Sequence, residues 1–169
     1  MQANRKKLAV LVVVVGIALV FTGAVASADD GPGKQTLAGV WQAALTILSA
    51  CGPTGVPVAG FPVLLTFTRD GDVIETPASL ELADIASIRT SPGLGRWQYE
   101  GWQQFSAVFR FFVISVPANL PNGSATVTEA IELDKDGDSL ASTGTADFLD
   151  ANGNSIVKHC FTETATRLK

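Results

Sequence analysis

Apolar residues recur at every second position through much of the chain after residue 38, the period of strands with one buried face. From Gly39-Val40-Trp41 onward the odd positions read Trp41, Ala43, Leu45 and Ile47, and the even ones are mostly small or polar. Phe61, Val63, Leu65 and Phe67 make the inward row of a second strand. Arg69-Asp70-Gly71-Asp72 turns the chain, Asp-Gly supplying the positive φ that a tight hairpin needs, and Val73 to Thr76 returns. Between Pro77 and Thr90, Leu80, Leu82, Ile85 and Ile88 fit neither period, so a short helix, an irregular flap and a strand all stay open. Ser91-Pro92-Gly93-Leu94-Gly95 punctuates the pattern before a strand from Arg96 to Glu100 that ends at Gly101-Trp102.

Gln104 to Val116 changes phase. Phe105, Ala107 and Phe109 hold odd positions, whereas Phe112, Ile114 and Val116 hold even ones. A β-bulge near Phe111-Phe112 would bring both groups to one face, because one extra residue reverses the alternation beyond it. With Val116 opposite Gly123, that register sets Phe112 across from Val127 and Phe109 across from Ile131. After the loop Pro117 to Asn122, the odd row Ala125, Val127, Ile131 and Leu133 follows, and Glu129 sits inside it. Strict alternation aims this carboxylate inward, where an unpartnered acid is costly and either titrates high or binds something. Two other placements compete: at the mouth in water, or paired with Arg110 under an unbulged register. Asp134 to Asp138 and Asp150 to Asn154 read as two further hairpin turns. Asp134, Asp136 and Asp138 have the first spacings of a calcium loop, but Ser139 and Thr145 stand where that loop needs Gly and Glu, so no metal site is expected. Leu140, Ser142, Gly144, Ala146 and Phe148 form one face of the next strand, and the last runs from about Ser155 to Thr164. The pattern predicts an all-β fold.

The N-terminus reads differently. Arg5, Lys6 and Lys7 precede an almost unbroken apolar run from Leu8 to Phe21 and then Ala26-Ser27-Ala28, the three parts of a secretory signal peptide over residues 1–28. The 14 residues of that run rise about 21 Å as a helix, short of the roughly 30 Å of a hydrocarbon core, so no membrane anchor is expected after cleavage. Residues 29–36 follow as a disordered leader and 37–169 as one domain. Loss of Arg5, Lys6 and Lys7 leaves nine basic residues against 16 acidic ones, a net charge of about −7, which disfavours a nucleic-acid partner. The protein's two cysteines, Cys51 and Cys160, are read as a disulfide in an exported protein. A bridge requires Cα atoms within about 7 Å, so the first and last strands must be near neighbours, in a closed barrel or across a sandwich.

Gly39-Val40-Trp41 at the start of the first strand resembles the signature of the lipocalins and their calycin relatives, whose Trp plugs the closed end of an eight-stranded up-and-down barrel. The resemblance implies such a barrel here, with Arg167 packed over Trp41 as a cation-π pair and Gly39 opening the strand. It departs from the lipocalins proper, having no Thr-Asp-Tyr turn and no long C-terminal helix. The sequence is more similar to small secreted bacterial barrel proteins with a GxW opening, Asp-Gly hairpins and a segment like Thr143 to Phe148.

An eight-stranded barrel can hold one small ligand, and Trp97, Tyr99, Trp102, Phe105, Phe109, Phe112 and Glu129 are the candidate lining. The same aromatics equally suit the core of a filled barrel. His159 is the protein's single histidine and no Gly-x-Ser-x-Gly elbow is present, so the inventory for nucleophilic catalysis is poor and no catalytic residue or cofactor is assigned. The expected function is binding of a small apolar ligand outside the cell or in the periplasm. Two alternatives remain: an enzyme acting by confinement, resembling the barrel-type cyclases, and a secreted interaction or inhibitor protein with a solid barrel and a patch around Phe111 and Trp102.

Overall fold

The computed structural model describes residues 36–77, 88–115 and 120–169. The predicted signal peptide, nearly all of the predicted leader, the ambiguous stretch 78–87 and Val116 lie outside them. The strands are β1 (Gly39–Leu48), β2 (Pro57–Phe67), β3 (Asp72–Pro77), β4 (Ile88–Thr90), β5 (Gly93–Gly101), β6 (Gln104–Ser115), β7 (Leu120–Leu133), β8 (Ser139–Leu149) and β9 (Ser155–Arg167). Each stave pairs antiparallel with the next, β1 meets β9, and β6 meets both β5 and β7, which closes an eight-stranded up-and-down barrel. The short β4 pairs with β6 beyond the end of β5, so β4 and β5 together make one stave broken at Ser91-Pro92. There Ser91 keeps the ladder going, donating its N–H to Phe112 O and accepting the Phe112 N–H on its hydroxyl.

The inward rows behave as the alternation requires. Trp41 and Ala43 on β1, Val63, Leu65 and Phe67 on β2, Val73 on β3, and Leu133 and Leu140 on β7 and β8 are buried, and their neighbours point out. Gly71, Gly137 and Gly153 take φ of 88°, 73° and 86° in the three predicted turns. In the second turn Asp136 Oδ1 accepts the Asp138 N–H, so this aspartate serves the turn itself.

Three boundaries differ from the sequence reading. β5 starts at Gly93, inside the stretch read as a break, because Gly95 lets β5 lie against β6: a Cβ there would collide with the Phe109 Cα and the Val108 carbonyl. β7 starts at Leu120, within the expected loop. β9 extends to Arg167, which is therefore its last residue rather than the one beyond it.

The larger difference is the phase of β6. Its register shift falls between Val113 and Ile114, so the odd phase persists through Phe105, Ala107, Phe109, Phe111 and Val113. Phe109 faces Val127, Phe105 faces Ile131, and Val113, not Val116, stands opposite Gly123. Phe112 consequently points outward. A bulge displaced by two residues leaves the side chains before it on their original faces.

Cys51 and Cys160 are bonded, their Cα atoms 5.2 Å apart, which pins the β1–β2 loop to β9. The disulfide suggests an oxidising compartment. Among the described residues no helix is long and apolar enough to cross a membrane.

One end of the barrel is packed shut by Leu37, Trp41, Phe67, Val73, Leu133 and Leu140, all at most 4% exposed. Trp41 Nε1 donates to Leu37 O at 2.9 Å, which satisfies its only side-chain donor. The Arg167 guanidinium covers the Trp41 ring with Cζ 4.2 Å from the centroid. Its fork donates to Ala38 O, Thr36 O and Gly137 O at 2.6, 2.8 and 2.8 Å, stitching β9 to the segment that leads into β1 and to the β7–β8 turn. Charged donors to backbone carbonyls and a cation-π contact are each worth about 1 kcal/mol or more. Arg167→Ala is therefore expected to lower the unfolding free energy by about 2–4 kcal/mol in a urea titration, and Arg167→Lys, lacking the fork, to recover only part of it.

Candidate functional site

Midway along the lumen the apolar lining is interrupted by three carboxyl groups, Glu75 on β3, Glu129 on β7 and Glu163 on β9, exposed by only 7%, 3% and 3%. Each shares the inward parity of its strand. Glu75 stands between Val73 and Pro77, Glu129 between Val127 and Ile131, and Glu163 between Phe161 and Ala165. In register, Glu163 lies beside Leu45 of β1 and Ser142 of β8, and Glu129 beside Ala107 of β6 and Gly144 of β8. Glu75 lies beside Leu65 of β2 and Gly93 of β5.

Hydrogen bonding satisfies little of this belt. Ser142 Oγ donates to Glu129 Oε2 at 3.0 Å. Oε1 of Glu129 and Oε1 of Glu163 are buried without a partner. The described arginines and lysines that make ion pairs or stack serve other places: Arg96 pairs with Asp72, Lys158 with Asp147 and Lys169 with Asp138 on the surface, and Arg167 covers the floor. Arg110 Nε donates to Thr126 Oγ1 on the outer face. Of the three placements open to Glu129, then, neither the watery mouth nor the Arg110 pair is realised, and the inward one is.

Burial raises all three pKa values. Loss of hydration pushes Glu75 up to about 7. Desolvation also lifts Glu129 to about 7, opposed by the Ser142 hydrogen bond and reinforced by the charge of Glu75. Glu163 goes furthest, to about 9, first through burial and then through repulsion from Glu129 and Glu75. Near neutrality the belt therefore carries fewer than three negative charges, and its protons are shared among groups that repel one another when ionised.

The glycines beside the belt shape it. A Cβ at Gly93 would lie 2.7 Å from Phe109 Cδ2 and 3.0 Å from Glu75 Oε2, so the Phe109 ring and the Glu75 carboxyl occupy the notch that glycine leaves. At Gly144 the tip of the Phe161 ring fills the same kind of notch, leaning over the neighbouring strand. Above the belt, burial declines. Leu45, Phe61, Phe111 and Ala146 are only half-buried, as are Phe148 and its flanking positions, whereas Ser155 to His159 at the end of the β8–β9 hairpin are exposed on both faces. The lumen thus grades from a shut floor, through an acid belt, to a looser apolar rim.

The predicted lining residues divide. Trp97, Phe105 and Phe109 face inward and are buried, with Trp97 edge-on to Phe67 at 6.2 Å and to Phe105 at 5.7 Å. Trp97 Nε1 donates to Thr68 O. Tyr99 is 54% exposed with its ring 5.4 Å from Phe105, at the outer edge of the closed end. Trp102, in the β5–β6 turn, is 83% exposed, and Phe112 is 57% exposed on the outer wall. These three do not reach the lumen. Two open depressions of about 500 and 640 Å³ face outward through alternating positions such as Gln104, Ser106 and Glu132, or Gln42, Ala44 and Thr164, and so indent the wall rather than the lumen. Glu75 and Glu163 were passed over in the sequence although parity places both: each is two residues from an inward apolar residue, Val73 and Phe161.

No protein-family model and no curated protein matches the chain. Among solved structures it is similar to Rv2717c from M. tuberculosis at 12% identity and a TM-score of 0.38, over 79% of this chain and 93% of that one.

Proposed function

We propose that the protein is an exported, calycin-like barrel that binds a small molecule within its lumen, with the ligand entering past Leu45, Phe61, Phe111 and Ala146 and ending at the acid belt. The observation that carries this reading is the belt itself. Three buried carboxyls with two unpartnered oxygens contribute nothing favourable to folding, since apolar residues of similar size would pack there at lower cost. Local violations of packing rules concentrate where a site needs them. The Gly39, Trp41 and Arg167 arrangement at the shut end supports the calycin-like placement of the mouth at the opposite end. Native mass spectrometry of the exported protein, purified without denaturation, tests the reading. A co-purifying small molecule released on unfolding is the expected result.

One observation favours a second reading, an interaction protein whose barrel is solid. Ile74 and Leu94 pair across β3 and β5 on the outer wall, both exposed, and Phe112 lies on the same side of the neighbouring β6. A clean polypeptide mass, together with loss of partner capture on Leu94→Lys, would move the assignment there.

A further inference from the structure

We propose that the acid belt is a recognition site for a primary ammonium group carried on an apolar body, so that the ligand class of this barrel is a small hydrophobic amine. The inference rests on the lumenal-binding reading above. Its chemistry follows from what the belt lacks. Oε1 of Glu129 and Oε1 of Glu163 are each nine-tenths buried or more and have no hydrogen-bond partner, and both face the lumen. Acceptors in that state call for donors, and a ligand that also carries positive charge offsets the repulsion among the three acids. An ammonium supplies three N–H donors in a compact head, more than the two orphan acceptors call for. A metal ion fits less well, because among the described residues no three His, Cys, Asp or Glu side chains converge closely enough to hold one. An N–H···O contact of about 2.8 Å spans a wider cluster than a metal–oxygen bond of about 2.3 Å.

The surroundings agree with an amine of this shape. Around the belt and toward the mouth lie the buried Val127, Phe161 and Phe109 and the half-buried Leu45 and Phe61, apolar side chains against which the ligand's body would pack. Toward the floor the lumen is filled, so the charged head goes no deeper than the belt.

Charge balance gives the site its pH behaviour. The groups facing Glu163 are Leu45 from β1 and Ser142 from β8, both neutral, with Glu129 of β7 and Glu75 of β3 as the charged ones. The charges that act on Glu129 and Glu163 are those of the belt's own acids. An ammonium entering the belt favours the ionised form of the acids around it, so protons held there at neutral pH are released to the solvent buffer as it binds. Affinity for an amine therefore rises with pH between about 5 and 8, since the amine stays protonated over that range.

The test is calorimetry and NMR of the exported protein with three probes of equal chain length: n-octylamine, 1-octanol and octanoate. At pH 7.5 the amine is expected to bind at least tenfold more tightly than the alcohol and octanoate not at all. Titrations in buffers of different ionisation enthalpy should show about one proton released per amine bound. Glu129→Gln and Glu163→Gln, both close in shape to the wild type, should each abolish the preference for the amine over the alcohol. Equal binding of amine and alcohol to the wild type overturns the ammonium site and leaves the lumenal-binding reading standing. Failure of all three probes, with the chain folded by circular dichroism, overturns both.

Discussion

Glu163→Gln is expected to stabilise the protein by about 2–4 kcal/mol at pH 8 and to change it little at pH 4.5. The sign follows from proton uptake. In the unfolded chain this carboxyl ionises near its ordinary 4.5, whereas in the fold it holds its proton up to about 9. Between those values the native state binds more protons than the unfolded one, so stability declines as pH rises. Each pH unit is worth ~1.4 kcal/mol per group, which caps the effect at roughly 5 kcal/mol at pH 8. Glutamine removes that penalty but brings an amide that must find partners of its own, and Ser142 and Glu129 are within the same belt. Glu75 and Glu129 add slopes of the same sign up to about 7. Glu100 and Asp150, exposed and held below their ordinary values by hydrogen bonds, act in the opposite sense in acid. Urea midpoints at pH 4.5, 6 and 8 should therefore fall with pH in the wild type and fall less in the variant. A wild-type midpoint that climbs across that range contradicts the belt.

Removing the disulfide should be the larger loss. The bond joins positions 109 residues apart, and closing so long a loop takes about 4–5 kcal/mol of conformational entropy from the unfolded chain. That is a large share of the 5–15 kcal/mol typical of a domain. The loss should also be uneven. Cys160 sits where β9 passes from its buried half, Phe161, Glu163 and Ala165, to the stretch Ser155 to His159 that is exposed on both faces. In Cys51→Ser/Cys160→Ser, amide exchange is expected to accelerate first from Ser155 to Cys160, with Trp41 and Arg167 at the far end protected until global unfolding. Equal urea midpoints for the double variant and the oxidised protein would show that the bond constrains little.

How much of this was legible beforehand depends on the residue. The alternation of Trp41, Ala43 and Leu45 or of Phe61, Val63, Leu65 and Phe67 is a direct image of a wall with one wet face, and it was readable because every apolar side chain had to go somewhere. The bond from Cys51 to Cys160 carried topology, since it placed the first and last strands side by side. Arg167 over Trp41 came from a resemblance, and the geometry agrees. Phase was harder. A run such as Gln104 to Ser115 has phenylalanines on both faces, so periodicity alone does not locate the bulge, and two residues' error turned Phe112 from lumen to solvent. Glu75 and Glu163 were missed for another reason. Polar residues are read as outward by default, and an acid on an inward row looks like the end of the row until the neighbouring strands close over it. Only the barrel brings β3, β7 and β9 to one axis, which turns three unremarkable glutamates into one belt.

The most direct test of that belt is a carboxyl-carbon NMR titration of the glutamates from pH 4 to 10. Three resonances should remain protonated past neutrality or turn over near it, two with midpoints about 7 and one about 9, and the three should be lost one each in Glu75→Gln, Glu129→Gln and Glu163→Gln. Every glutamate titrating between about 4 and 5 would mean that water reaches the belt freely, and the account of a buried acid site would fail.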